Sequence, residues 1–216
     1  PLHIGMIGMH GTSLANKIIT DADLIIAAGA RFADRTVGNV EGFAPKAKII
    51  HIDIDPAEIG KNIPVHTPIV GDVKHILGQI AKNVKLQATT DWSNYVTSLK
   101  QKVVFKYNGE HLNPVEVIRQ LSNKTKGKAI ITTEVGCHQM WTAQHYEFIK
   151  PRTFISSGGL GTMGYGLAAA IGAQIAKTDK MIINICGDGS FQMNLSEMAT
   201  AVENNLPIKI VLFNNK

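Results

Sequence analysis

The chain has 216 residues, 44% of them hydrophobic and 18% charged, with a net charge of +5. That apolar share excludes a disordered or low-complexity chain. The basic residues are scattered, clustering only in KNVK and NKTKGK, so the charge reads as a solvated surface and no nucleic-acid partner is expected. No apolar run approaches the ~20 residues of a membrane span. The two cysteines, Cys137 and Cys186, lack metal-like spacing, and a reduced, cytoplasmic setting is expected.

In chain order, HIGMIG (3–8) reads as a short strand and SLANKIIT (13–20) as a helix. DLIIAAGA and KIIHIDID are strands closing on Gly29 and on Asp53 and Asp55, and TPIVGD is a further element. VKHILGQIAKNV is helical, with Val73, Ile76, Leu77 and Ile80 on one face. Residues 84–112 are polar with scattered aromatics and read as a linker whose middle can form a helix. NPVEVIRQLSN then starts a helix, capped by Asn113, with Pro114 in the first turn and Glu116 three residues after the cap. KAIITTE and RTFISS are strands, and GYGLAAAIGAQIAK is a helix of small residues. MIINIC is a strand that holds Cys186 as a small core residue. NLSEMATAVENN is a helix capped by Asn194, with Leu195, Met198, Ala199 and Val202 on one face, and IKIVLF is the last strand. Continuous apolar strands alternating with helices predict an α/β fold: two parallel-sheet, Rossmann-like units, 1–83 and 113–216, joined by the linker. A chain that opens on Pro1 beside a strand and stops directly after another is expected to be a piece of a longer protein.

The chemistry concentrates at strand ends, where open parallel sheets bind ligands. Gly187-Asp188-Gly189 ends one strand, and Asn214-Asn215 ends the next, about two dozen residues later. Adjacent strands lie about 4.8 Å apart, so Asp188 and one of the two asparagines could reach one cation. A carboxylate with an amide oxygen suits Mg²⁺, whose remaining ligands would be water and a bound phosphate or diphosphate. The flanking glycines admit phosphate oxygens, and Ser190 adds a donor. Either motif alone is also an ordinary turn. A rival lies in GLGTMG, Gly159 to Gly164, which follows a strand and precedes a helix as a dinucleotide fingerprint does, with Asp188 downstream. It leaves Gly189, Asn214 and Asn215 unexplained and puts Met163 in the phosphate turn. An NAD(P) oxidoreductase and a non-enzymatic binding module both stay open here.

The stretch GDGSFQMNLSEMATAVENNLPIKIVLFNN resembles the thiamine-diphosphate motif. Together with TEVGCHQMW, SSGGLGTMGYGL, RFADRTVG and HIDIDPAEIGKN, it resembles the large, catalytic subunit of acetohydroxyacid (acetolactate) synthases. The resemblance implies that 113–216 is most of a thiamine-diphosphate domain, with Asp188 and Asn215 on Mg²⁺ and Met163 propping the folded cofactor. Val135, Gly136, His138, Gly161, Gly187, Gly189 and Ser190 would line that cofactor. It further implies that 1–83 is the latter part of a central, FAD-holding domain lined by Met9, His10, Gly29, Arg31, Asp53 and Asp72, with Arg35 helping to select the second substrate. The implied reaction condenses pyruvate with a second 2-oxo acid, losing CO₂, in branched-chain amino-acid biosynthesis. It implies a homodimer or higher homo-oligomer and allows a regulatory small subunit. In such enzymes the proton-relay glutamate comes from an N-terminal domain across a subunit interface, so these 216 residues alone are expected to be inactive. Three departures stand out: Cys137 replaces a glutamine that reaches the diphosphate, Ala33 an acid of the flavin motif, and Ala168 a proline.

Overall fold

The continuous apolar runs become strands, and every strand pairing is parallel. The structure, a computed structural model, describes residues 3–85, 90–102 and 112–215. The chain divides into two units, Pro1–Phe105 and Lys106–Lys216.

The first unit contains α1 (Ser13–Asp21), β1 (Leu24–Ala28), α2 (Asp34–Val37), a 3-10 turn (Val40–Gly42), β2 (Lys48–Asp53), β3 (Thr67–Val70), α3 (Val73–Asn83) and α4 (Thr90–Lys102). Its sheet runs β1-β2-β3. The core gathers Ala27, Phe32, Val37, Ile49 and Ile63, with Ile25 and Phe43 packed against them. Two side chains cap helices as their types predict: Thr12 accepts from Ala15 N–H, and Asp72 from His75 N–H. Residues 3–8 form no strand, contrary to the sequence reading. Gly5 and Gly8 have φ of 112° and 89°, conformations outside the β region. Asn16 clamps Gly8 at both its N–H (2.7 Å) and its carbonyl (2.9 Å), so the backbone groups that a ladder would use are spent on a loop. Parts of the expected linker, 86–89 and 103–111, lie outside the described residues. Its middle is α4, tied to α1 where the Tyr95 hydroxyl donates to Asp21.

The second unit contains α5 (Pro114–Thr125), β4 (Ile130–Thr133), α6 (Cys137–His145), β5 (Phe154–Ser156), α7 (Tyr165–Ala176), β6 (Ile182–Gly187), α8 (Asp188–Met193), α9 (Glu197–Glu203) and β7 (Lys209–Phe213). Its sheet runs β5-β4-β6-β7. Strand side chains alternate faces, and here both faces are covered. Ile131, Ile183 and Ile185 pack with Ile118 of α5 and Tyr146, while Ile130 and Ile182 pack with Ala170 of α7. That explains why β4 and β6 are buried along nearly their whole length and show no apolar–polar alternation. Asn113 caps α5 by accepting from Val115 N–H, with Pro114 in the first turn.

Two helices of this unit were not legible in the sequence, and one start is corrected. The residues that α6 buries are His138, Gln139 and Thr142, so its inner face carries no apolar period. The short α8 begins at Asp188 itself, where the glycines suggest only a turn. Asn194 does not cap the following helix. Its amide donates to the Gly164 carbonyl at 2.9 Å, and α9 starts only at Glu197. The face carrying Leu195, Met198 and Val202 is exposed.

Candidate active site

The strand order decides the central question. β6 and β7 are neighbours, with Gly187 paired to Phe213, so Asp188 and Asn215 leave the sheet at the same edge. Both line one cavity of about 220 Å³, together with Val135, Gly136, Cys137, His138, Trp141, Met163, Gly187, Gly189, Ser190 and Phe213. Of the two asparagines, Asn215 faces this cavity. Gly161 is not among the lining residues but lies near Val135, where an added Cβ would meet Val135 Cγ2 at 3.6 Å.

Each part of the wall has a local cause. Val135 and Gly136 are the turn between β4 and α6. At Gly136 φ is 151°, and a Cβ there would fall 2.7 Å from the His138 ring. A Cβ on Gly187 would fall 3.1 Å from the same ring, and one on Gly189 would lie 3.5 Å from Met163 Cε. At Gly136 the backbone therefore approaches the ring more closely than a side chain would allow, Gly187 leaves little room there, and Gly189 leaves ordinary contact distance to the thioether. Trp141 and Phe213 close one side, edge to face at 5.9 Å. Neighbouring residues outside the lining form a polar network: the Gln139 amide and the Thr133 hydroxyl both donate to Ser156 Oγ, at 2.7 and 2.9 Å, and the Thr142 hydroxyl donates to the His138 carbonyl.

Sequence reasoning missed Glu134 as a site residue. It is 1% exposed, directly after β4. Its Oε2 accepts the Gly166 N–H at 3.0 Å, at the start of α7, whose own N-cap Gly164 offers no side chain. Its Oε1 lies 3.4 Å from His138 Nε2, and both atoms are buried without a hydrogen-bond partner. The signal available in the sequence was an acid at the end of an otherwise apolar buried strand.

This carboxylate bears on the dinucleotide alternative. A pyrophosphate over GLGTMG would need the N–H groups at the start of α7, yet Glu134 already supplies an anion there. The two thiols also separate. Burial, and after it the Glu134 carboxylate, push the Cys186 thiol up to about 12, whereas Cys137 is exposed at the cavity.

The residues fit a diphosphate with a divalent cation. The donor set is one carboxylate and one amide oxygen, hard ligands that suit Mg²⁺. Among the described residues no group of three His, Cys, Asp or Glu side chains could hold a metal, so the remaining ligands would have to come from elsewhere. The volume is below the ~300–1,000 Å³ of sites that enclose a whole drug-sized ligand. A cavity of this size would enclose the phosphate end of such a cofactor rather than all of it.

In the first unit, Met9 and Arg35 come together in a separate cavity of about 590 Å³. Met9 N–H donates to the Arg35 carbonyl at 2.8 Å, and the guanidinium reaches Met9 Sδ at 3.9 Å. Gly29, Asp53 and Asp72 instead follow or end β1, β2 and β3, at the carboxyl edge of the sheet. Asp53 accepts from Asp55 N–H at 3.0 Å, and Asp72 caps α3. The Arg31 carbonyl accepts from Asn62. His10, Gly29, Arg31, Asp53 and Asp72 do not line the Met9–Arg35 cavity.

Residues 134–216 match the model of the thiamine pyrophosphate enzyme C-terminal TPP binding domain, and residues 1–80 match that of the central domain of the same enzymes. Over its whole length the chain is 49% identical to the chloroplastic acetolactate synthase of Arabidopsis thaliana, covering 33% of that protein. It is 47% identical to the acetolactate synthase isozyme 1 large subunit of Escherichia coli, covering 39%. It is 44% identical to a probable acetolactate synthase large subunit of Methanococcus aeolicus, again covering 39%. The chain thus spans between a third and two fifths of these relatives. Among the described residues, no helix is long and apolar enough to cross a membrane.

Proposed function

Because the chain belongs to the thiamine pyrophosphate enzymes, as a homologue of the acetolactate synthase large subunit, we propose that it takes part in joining pyruvate to a second 2-oxo acid with loss of CO₂. In this reading Asp188 and Asn215 hold Mg²⁺ and, through it, the cofactor's diphosphate. Gly187, Gly189 and Ser190 border the phosphates, Val135, Gly136 and His138 form the opposite wall, and Met163 supports the cofactor from one side. Bound thiamine diphosphate would supply a nucleophilic thiazolium carbon and an electron sink for decarboxylation. The observation that carries the reading is the adjacency of β6 and β7, which gives Asp188 and Asn215 one cavity.

The finer assignments follow from the resemblance. FAD would lie along the carboxyl edge of the first sheet, with Arg35 beside the second substrate. Asp53 and Asp72 already accept backbone N–H groups there, so any bond to a flavin nucleotide would be additional. The cavity's small enclosed volume supports a site completed from outside this unit, as in a homodimer, and the 216 residues alone should lack synthase activity. A small-subunit partner and a cytoplasmic location belong to the same reading.

Calorimetric titration of the full-length polypeptide with thiamine diphosphate, with and without Mg²⁺, tests the core of it. Binding should require the metal and disappear in Asp188→Ala and Asn215→Ala. Undiminished affinity in both variants would overturn the metal assignment.

A further inference from the structure

We infer that Glu134 is a positioning residue for the cavity ligand, acting through His138; this rests on the cofactor reading above. Two buried polar atoms point to it. Glu134 Oε1 and His138 Nε2 are 3.4 Å apart, and neither has a hydrogen-bond partner. Leaving either unsatisfied is costly, and each is the complementary group the other needs, within 3.4 Å. Glu134 is fixed from behind by the Gly166 N–H, so its second oxygen is aimed at the imidazole.

A carboxylate beside Nε2 selects the ring form with its proton on that nitrogen. The Nδ1–Cε1 edge of the ring packs over Gly136 and Gly187, both of which line the cavity. A ligand in the cavity therefore meets one ring orientation and one tautomer, and Glu134 sets both without lining the cavity itself. The same carboxylate joins the start of α7, just after Met163, to the start of α6. One buried acid thus couples two walls of the site.

Glu134→Gln isolates this role. The Gly166 N–H still needs an acceptor, so the new amide turns its carbonyl there and its NH₂ toward Nε2, which must then give up its proton. The test uses the full-length polypeptide, ¹⁵N-labelled at histidine, with the His138 signal identified by its loss in His138→Ala. The wild-type ring should carry its proton on Nε2, and the Gln variant should move it to Nδ1. Magnesium-dependent thiamine diphosphate affinity should fall about tenfold in Glu134→Gln, with thermal stability close to wild type. The double variant Glu134→Gln/His138→Ala should bind no more weakly than His138→Ala alone. Losses that multiply in the double variant overturn the inference, as does wild-type affinity in Glu134→Gln. If that variant does not fold, the wild-type ring decides: a sole proton on Nδ1 refutes the inference, and one on Nε2 supports it. Wild-type protein that binds no thiamine diphosphate overturns the cofactor reading and with it the ligand half of this inference. The ligand-free ring signal then still reports separately on whether Glu134 governs His138.

Discussion

Gly166→Ala should destabilise the second unit, although it replaces glycine by the best helix former inside α7. A Cβ at 166 would stand 1.9 Å from Glu134 Oε2 and 2.6 Å from Asn184 Oδ1. Neither neighbour can yield, since Glu134 and Asn184 are both essentially fully buried. Displacing the carboxylate breaks its bond to the Gly166 N–H, worth about 1.5–3 kcal/mol for a charged acceptor. Forcing a methyl into the filled space adds about 1–3 kcal/mol. Helix propensity returns about 1 kcal/mol. The net loss is about 3 kcal/mol, or on the order of 10 °C in Tm for a unit of this size. Gly172, in the same helix, has nothing within 4 Å of its would-be Cβ, so Gly172→Ala should stabilise by about 0.5–1 kcal/mol. Of the two tryptophans, Trp141 belongs to the second unit, so urea unfolding followed by its fluorescence in a Trp92→Phe background reads this unit alone. If Gly166→Ala proved as stable as Gly172→Ala, the close packing of Glu134 against α7 would be wrong.

Gly8→Ala should weaken the first unit by more than about 2 kcal/mol, because φ is 89° there and a Cβ would strike the Arg35 carbonyl at 2.4 Å; far-ultraviolet thermal melts would register it. In native protein a disulfide-exchange reagent should titrate Cys137 rapidly and leave Cys186 untouched, since Cys186 is buried and its thiol is held at about 12. Prior saturation with magnesium and thiamine diphosphate should slow the Cys137 reaction, and an unchanged rate would count against that residue facing the ligand. Burial, then Arg119, lowers the His145 pKa from 6.5. The unfolded chain therefore takes up that proton more readily, and stability is lost as pH falls below about 6.5 toward the folded value. His145→Gln should flatten this part of the urea-midpoint profile, and an unaltered profile would remove His145 from the account. Asn113→Ala should cost about 1 kcal/mol through loss of the α5 cap.

Local rules carried far in this chain. Short runs such as AIITT and MIINIC, rich in β-branched residues and without polar alternation, pointed to strands covered on both faces, because a half-exposed strand would have alternated. Asn113 with Pro114 announced a helix start by the donor that Asn113 satisfies. The pairing of Gly-Asp-Gly with Asn-Asn was readable because both motifs sit directly after apolar strands, where side chains leave the sheet. What the local pattern could not reveal was any segment whose polar groups are satisfied at a distance. Residues 3–8 alternate like a strand but are bent by Gly5 and Gly8 and held by Asn16. Asn194 has the right spacing to cap a helix, but its amide is spent on Gly164. Helix α6 buries histidine, glutamine and threonine, which no hydrophobic period can report.

The sequence by itself determined most of the strands, the parallel class and the family, because these follow from side-chain type and spacing along the chain. Tertiary structure alone decided that β6 and β7 are neighbours, that Asn215 shares a cavity with Asp188, and that Glu134 reaches both α7 and His138. Those facts depend on strand order and on which buried polar atoms find one another across the sheet. The free energy that fixes them is shared among residues far apart in the chain, so no single stretch encodes them.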